Sequence, residues 1–413
     1  MFVSDTTVQQ DLRGGCPPWL AGFRRPVRAM LKRDLTCDIL IVGAGITGAL
    51  LAQHLTALGH RVCVIDRERA GFGSTTASTA MLQWEIDCPL SELTNFYGFE
   101  RAANIYRRSH QAVAGLRGLV DDLGLRCAFR HRSSLYLAAG DVGAAELLAE
   151  HQLRERAALP GVYLDYPTLR REFNFDREAA IISPGSADAD PLLLAHALLA
   201  QAIQHGATMF DAQAVSYDNF GHGLIVGLES GHQIEAKNVI LATGYVMPDF
   251  PKTELHSTAS SWAIATPPQT PEALWRDGVL IWEASEDYLY ARATADNRIV
   301  IGGEDDDTVT EPDERDGLMP EKAATILRKL SLLRPNAVAK AEMIWSGAFG
   351  QTDDGLPLIG RAPGMPSLFA AYGYGGNGIT FSFLASRMIA KMIGGDQEEW
   401  YDDFALDRPV PKT

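Results

Sequence analysis

The chain has 413 residues, more than one ordinary core holds, and at roughly 150 residues per domain it divides into two or three. Its 46% hydrophobic and 22% charged residues are those of a globular protein, no apolar run reaches the roughly 18 to 20 residues that span a bilayer, and the polar start does not read as a signal peptide. The formal charge of −15 opposes binding to a nucleic-acid backbone, so the expectation is a cytoplasmic protein that binds no nucleic acid, with an anionic cofactor still permitted at a helix N-terminus.

Residues 1–36 read as an irregular leader, with Gly14-Gly15 and Pro17-Pro18 as turn signals. Cys37 to Val42 makes a short apolar strand, a glycine loop follows at once, and Thr47 to Leu58 reads as a helix stopped by Gly59. Arg61 to Asp66 is a second strand ending in an acid. Longer amphipathic helices, such as Glu92 to Leu123, and a strand at Ser134 to Ala138 occupy 88–183. Asp190 and Pro191 suit the N-cap and first turn of a helix that runs to Gly206, and Asn238 to Gly244 returns to an apolar strand ending in glycine. Residues 251–345, rich in Trp, Tyr and β-branched residues, suggest an antiparallel sheet. A last strand at Ser367 to Tyr372 and a helix over Ile379 to Ile393 complete the chain. The five cysteines, Cys16, Cys37, Cys63, Cys88 and Cys127, lack CxxC spacing and read as reduced structural thiols.

Gly43-Ala44-Gly45-Ile46-Thr47-Gly48 follows a predicted strand, opens a predicted helix and precedes Asp66 at the end of the next strand. The first glycine permits the turn, the second lets the backbone approach a pyrophosphate, the third lets helix pack on strand, and Asp66 suits a ribose. A second glycine loop, Tyr372 to Thr380, also opens a helix. Its N-terminus would face a flavin ring, contributing about 0.3–2 kcal/mol to a negative charge there.

With these residues in place, the sequence resembles the D-amino-acid oxidase, glycine oxidase and sarcosine oxidase family of flavoproteins, through Asp38 to Asp66, Gly73-Ser74-Thr75, Val239 to Gly244 and Trp345 to Ile393. The resemblance implies an α/β architecture: a discontinuous FAD-binding domain with a parallel central sheet (1–87, 184–250, 346–413) and a substrate domain with a mixed or antiparallel sheet (88–183, 251–345). It places Gly43, Gly45, Gly48, Asp66 and Arg67 at the adenosine end, and Ser74 and Thr75 by the pyrophosphate or flavin. Thr243 and Gly244 fall near the cofactor, and Gly376, Asn377, Gly378, Ile379 and Thr380 near the flavin ring. Ile46, Thr47 and Val215 complete the expected cofactor set. The stretch from Gly73 to Glu85 has no histidine and no cysteine follows Cys127, so the FAD is expected to be noncovalent.

The relatives oxidise a C–N bond of an amine or amino acid to an imine by passing a hydride to flavin N5, with oxygen or another acceptor reoxidising the flavin. Phe349 stands where amino-acid oxidases of the family carry a carboxylate-binding arginine. Either Arg292 replaces that clamp, or the substrate is an amine without an α-carboxylate. Tyr288, Tyr290 and Trp282 are candidate walls that would favour a neutral amine, although sheet packing explains such aromatics equally well. Gln83, Trp84 and Glu85 follow the flavin-side loop and are candidates to face the substrate, with Glu85 a candidate partner for a cationic amine. The strand Arg298 to Gly303 lacks the lysine that some oxidases of the family place over the flavin. No HxxxH, HExxH or GxSxG occurs, which speaks against a metal site and a serine hydrolase. Alternatives are a 2-hydroxy-acid dehydrogenase, for which no base is evident, and a non-catalytic flavin-binding or RNA-modifying protein, which the acidic charge disfavours.

Overall fold

The computed structural model describes residues 12–21, 29–251 and 253–409. The strand Leu35–Val42 is apolar in both phases: Ile39 and Ile41 face one core, Leu40 and Val42 another. Such a strand belongs inside a sheet covered on both faces. It pairs in parallel with Val62–Asp66 on one side and Gln233–Leu241 on the other. Met365–Tyr372 joins the far side of Gln233–Leu241, also parallel, with Val239 opposite Leu368. This register puts the ends of Leu35–Val42 and Met365–Tyr372 at the same sheet edge, so the two glycine loops converge there. Thr208–Asp211, Leu358–Ala362 and an antiparallel branch of Gly223–Leu228 and Ala214–Phe220 complete an eight-stranded sheet. Helices Ile46–Ala57, Pro191–Gln204 and Gly378–Ile393 cover one face, where Leu50, Leu198 and Met388 share a core. Asp190 starts the second of these as expected, its Oδ1 accepting from Leu192 N at 3.0 Å and Leu193 N at 2.9 Å.

The other sheet has ten strands, built mainly from Arg130–Ala138, Ala179–Asp188, His256–Ala265, Leu280–Ala284, Leu289–Ala293, Ile299–Asp306 and Met343–Thr352. Its neighbours run antiparallel except for Leu280–Ala284 beside Arg130–Ala138, so it is mixed.

Three features depart from the sequence reading. The leader is not irregular throughout: Arg13–Gly15 pairs with Trp345 to Gly347 and forms the last strand of the larger sheet. The helix expected over Glu92 to Leu123 is two, Leu90–Tyr97 and Phe99–Asp122, separated at Gly98 with φ 77°. The limits expected at 183/184 and 345/346 fall inside the strands Ala179–Asp188 and Met343–Thr352, and Met81–Leu82 pairs with the larger sheet. Sheet membership is set by pairing between segments distant in sequence, which local composition does not carry.

Candidate active site

A cavity of about 490 Å³ opens where the two glycine loops meet and extends to the larger sheet. At one end, Gly43 turns the chain out of Leu35–Val42 with φ 111°, and a Cβ there would overlap the Ala242 carbonyl oxygen. Gly45 leaves room for Thr75, whose Oγ1 would lie 3.0 Å from an added Cβ and accepts from Ile46 N at 2.9 Å. Asp66 orders the loop from the neighbouring strand: one carboxylate oxygen accepts from Ala44 N at 2.6 Å, the other from Glu68 N at 2.8 Å. Burial pushes this carboxyl up to about 6, against the pull of those two N–H groups. The first turn of Ile46–Ala57 faces the cavity, with Ile46 and Thr47 in its lining.

At the other end, the segment 83–87 is stitched to the start of Gly378–Ile393. Thr380 Oγ1 donates to the Gln83 carbonyl at 2.8 Å, Asn377 Nδ2 to the Glu85 carbonyl at 2.8 Å, and Gly376 N to Asp87 Oδ2 at 2.6 Å. Asp87 faces the open cavity while walled in by protein on its other sides, and this partial desolvation raises it to about 6. Ser74 Oγ, Gln83 Nε2 and Asn377 Oδ1 are buried along the cavity without a protein partner. Unsatisfied polar atoms in a cleft of this size, between two helix N-termini, fit a long ligand with hydrogen-bonding groups at both ends, as a flavin dinucleotide has.

The remaining wall comes from the larger sheet. Tyr288 donates to Asp305 Oδ2, Tyr290 OH lies 3.5 Å from Ser261 Oγ, and the two tyrosine rings are 6.0 Å apart. Gly302 makes room for the Tyr290 ring, which a Cβ would overlap. Trp282 stacks at 3.8 Å on Tyr136 behind it. Burial raises Tyr288, Tyr290, Asp305 and Glu85 above their ordinary ranges. Glu85 is 2% exposed and accepts from the Ser134 hydroxyl. Glu85, Asp87 and Asp305 thus share this end, whereas Arg67, the only basic residue among the described lining, sits beside Asp66 at the other.

Most of the residues singled out by sequence line this cavity. Gly43, Gly45, Ile46, Thr47, Asp66 and Arg67 do so at one end, Ser74, Thr75, Thr243 and Gly244 along its length, and Gly376, Asn377, Gly378 and Ile379 at the second helix. Tyr288, Tyr290, Trp282, Phe349, Gln83 and Glu85 lie on the remaining walls. Five others do not line it. Gly48 packs on the Gly43 carbonyl, and Thr380 serves as a tie to Gln83. Val215 is 57% exposed, pointing away while Ala214 before it lines the cavity. Trp84 alternates with Gln83 and Glu85 and faces the opposite way, fully buried, its Nε1 donating to the Pro184 carbonyl at 2.9 Å. Arg292 is one step beyond Tyr290 on the same strand face. It is 2% exposed, donates to the Ala189 carbonyl at 2.9 Å, sits 3.6 Å from Asp188 and is covered by Trp19. Asp188 is already bound by Arg130 at 2.7 Å, so Arg292 belongs to a buried ionic cluster. The sequence reading missed Asp87, Asp305, Ser261 and Leu12. Asp87 was detectable as the next residue in phase with Gln83 and Glu85; the others depend on pairing of the larger sheet.

Comparison with known proteins agrees with this geometry. The profile of the DAO family, described as FAD dependent oxidoreductase, matches residues 38–392. The gamma-glutamylputrescine oxidoreductase of Escherichia coli strain K12 is 28% identical over 383 residues, spanning 91% of this chain and 87% of the relative. The glycine oxidase of Geobacillus kaustophilus is 24% identical across 91% of this chain and 98% of its own. The crystal structure of that glycine oxidase superposes with a TM-score of 0.76 at 21% identity, covering 91% of this chain and all of the other. The L-proline dehydrogenase from P. horikoshii gives 0.76 at 18% identity over 91% of this chain and 98% of its own. Among the described residues no helix is long and apolar enough to cross a membrane.

Proposed function

This chain belongs to the DAO family of FAD-dependent oxidoreductases, and from that premise we propose that it oxidises the C–N bond of a primary or secondary amine that carries no α-carboxylate. The observation behind this reading is the charge of the substrate end: Glu85, Asp87 and Asp305 line it, no basic residue does among the described residues, and Arg292 lies outside. A carboxylate-bearing substrate would meet anions there with no fork to hold it. An ammonium would find carboxylates to bind and the faces of Tyr288, Tyr290 and Trp282 to pack on.

FAD held in the cavity would supply the two-electron acceptor. The residues do the rest. The carboxylates hold the incoming ammonium, the one beside the reacting nitrogen takes its proton, and the aromatic walls exclude water, since only the neutral amine donates hydride. Removal of hydride from carbon and a proton from nitrogen leaves an imine, which water hydrolyses to a carbonyl compound and a free amine. We assign the cofactor to Gly43 through Thr47, Asp66, Ser74 and Asn377, held without a covalent bond, and the FAD domain to 1–87, 184–250 and 346–413, with strands crossing between it and the substrate domain.

The test is the visible spectrum of the purified protein, recorded without oxygen before and after addition of amines, amino acids and 2-hydroxy acids. Bleaching of the flavin by amines supports the reading; bleaching by 2-hydroxy acids alone overturns it.

A further inference from the structure

Three carboxylates line the substrate end: Asp87 is tied to the second glycine loop by Gly376 N at 2.6 Å, and of the other two, Glu85 and Asp305, neither has its charge balanced by the protein. Glu85 is 2% exposed and held in place at two points. Its carbonyl accepts from Asn377 Nδ2 at 2.8 Å, Ser134 donates to its Oε1, and its Oε2 has no protein hydrogen-bond partner. The cation behind it, Arg154, is 1% exposed and shared with Glu150, to which its Nε donates at 2.7 Å. One arginine between Glu85 and Glu150 leaves a negative charge. Asp305, the last residue but one of the strand Ile299–Asp306, accepts from Tyr288. The nearest cation, Lys322, donates to the Glu304 carbonyl at 3.2 Å and reaches Asp306 at 3.4 Å, while Lys329 pairs with Glu304 at 2.5 Å. Two lysines against Glu304, Asp305 and Asp306 again leave one negative charge.

We propose that the site takes an amine bearing a second cationic nitrogen, a diamine or polyamine, with Glu85 and Asp305 holding the two charges. A monoamine entering the cavity would displace water from both carboxylates and neutralise only one, leaving the other buried and uncompensated. A dication balances both. Tyr288, Tyr290 and Trp282 between them present ring faces suited to an aliphatic chain with ammonium ends. The reacting nitrogen belongs on the Glu85 side, because that segment is bonded to the start of Gly378–Ile393 at the flavin end, and the far ammonium belongs on Asp305.

This inference rests on the amine reading above, and one assay separates the two. The holoenzyme is offered α,ω-diamines, each beside the n-alkylamine of the same chain length, and flavin reduction is followed without oxygen. The expected result is a kcat/KM for the best diamine at least about tenfold above its matched monoamine, the size of one well-formed charge contact. In Asp305→Asn that ratio falls to within about threefold of one, and Asp305→Glu restores it. Asp305→Ser makes the same measurement should D305N fail to retain flavin. Reduction by diamine and monoamine with equal efficiency, or a ratio unmoved by these Asp305 variants, overturns the dication proposal while leaving amine oxidation standing. Reduction by no amine of either kind overturns both.

Discussion

Thr47 Oγ1 and Ser382 Oγ lie 2.7 Å apart, joining the first turns of the Ile46–Ala57 and Gly378–Ile393 helices across 335 residues of sequence. Both hydroxyls are buried, and Ser382 also donates to the Gly378 carbonyl at 2.6 Å. The pair fixes the distance between the two helix N-termini that face the cofactor cavity. Replacing Thr47 by Val should lower stability by about 1 kcal/mol, the usual worth of a buried hydrogen bond, and should quicken flavin release. Thermal unfolding and the rate of flavin release on dilution check this; a variant that holds flavin as tightly as the parent would show that the spacing is set elsewhere.

Gly43 has φ 111° and no room for a Cβ, whereas Gly59 has φ 89° with nothing within 4 Å of where a Cβ would stand. Both substitutions by Ala strain the backbone by about 1–2 kcal/mol, but only G43A also collides with the Ala242 carbonyl. We expect G59A to be purified yellow and slightly less stable, and G43A to be colourless or insoluble. Flavin content per mole of protein measures the contrast.

Arg292 sits in a buried ionic cluster, its guanidinium lowered to about 10 by burial, with Asp188 and Trp19 as neighbours. Arg292→Met should leave the apparent substrate affinity within about twofold while reducing stability by about 1–3 kcal/mol, as the Ala189 carbonyl loses its donor. A large rise in KM with unchanged melting would restore Arg292 as a substrate clamp.

Glu85 is held above the ordinary carboxylate range, first by burial, with Arg154 pulling the other way. The sign follows directly: at pH values where a solvated glutamate is already ionised, Glu85 still carries its proton, and its anion appears only as pH rises further. Binding of a cationic amine should therefore strengthen with increasing pH across that interval, and the contribution of Glu85 to fold stability should fall across the same interval, since the buried anion is the disfavoured form. Arg154→Met should move the limb to higher pH, and E85Q should remove it. The pH profile of KM, measured on all three proteins, carries the result.

What the sequence determined by itself is the part of the protein whose chemistry is local. Strand, glycine loop, helix and acid succeed one another within Asp38 to Asp66, each step dictated by residues a few positions away, and the second glycine loop repeats the logic before Gly378–Ile393. The α/β class, the family and most of the residues that line the cavity at the two glycine loops were legible for that reason. The in-and-out alternation of Gln83, Trp84 and Glu85 was legible in principle as well, yet only the fold showed which phase faced the cavity. The substrate end was decided by tertiary structure alone. Asp305 meets Tyr288 because Leu289–Ala293 pairs with Ile299–Asp306, Leu12 reaches the cavity because Arg13–Gly15 adds a strand beside Trp345, and Arg292 is withdrawn because Asp188, on a strand far away in sequence, binds it. Those contacts depend on register between distant segments, and the charge balance of the cavity is a sum over them.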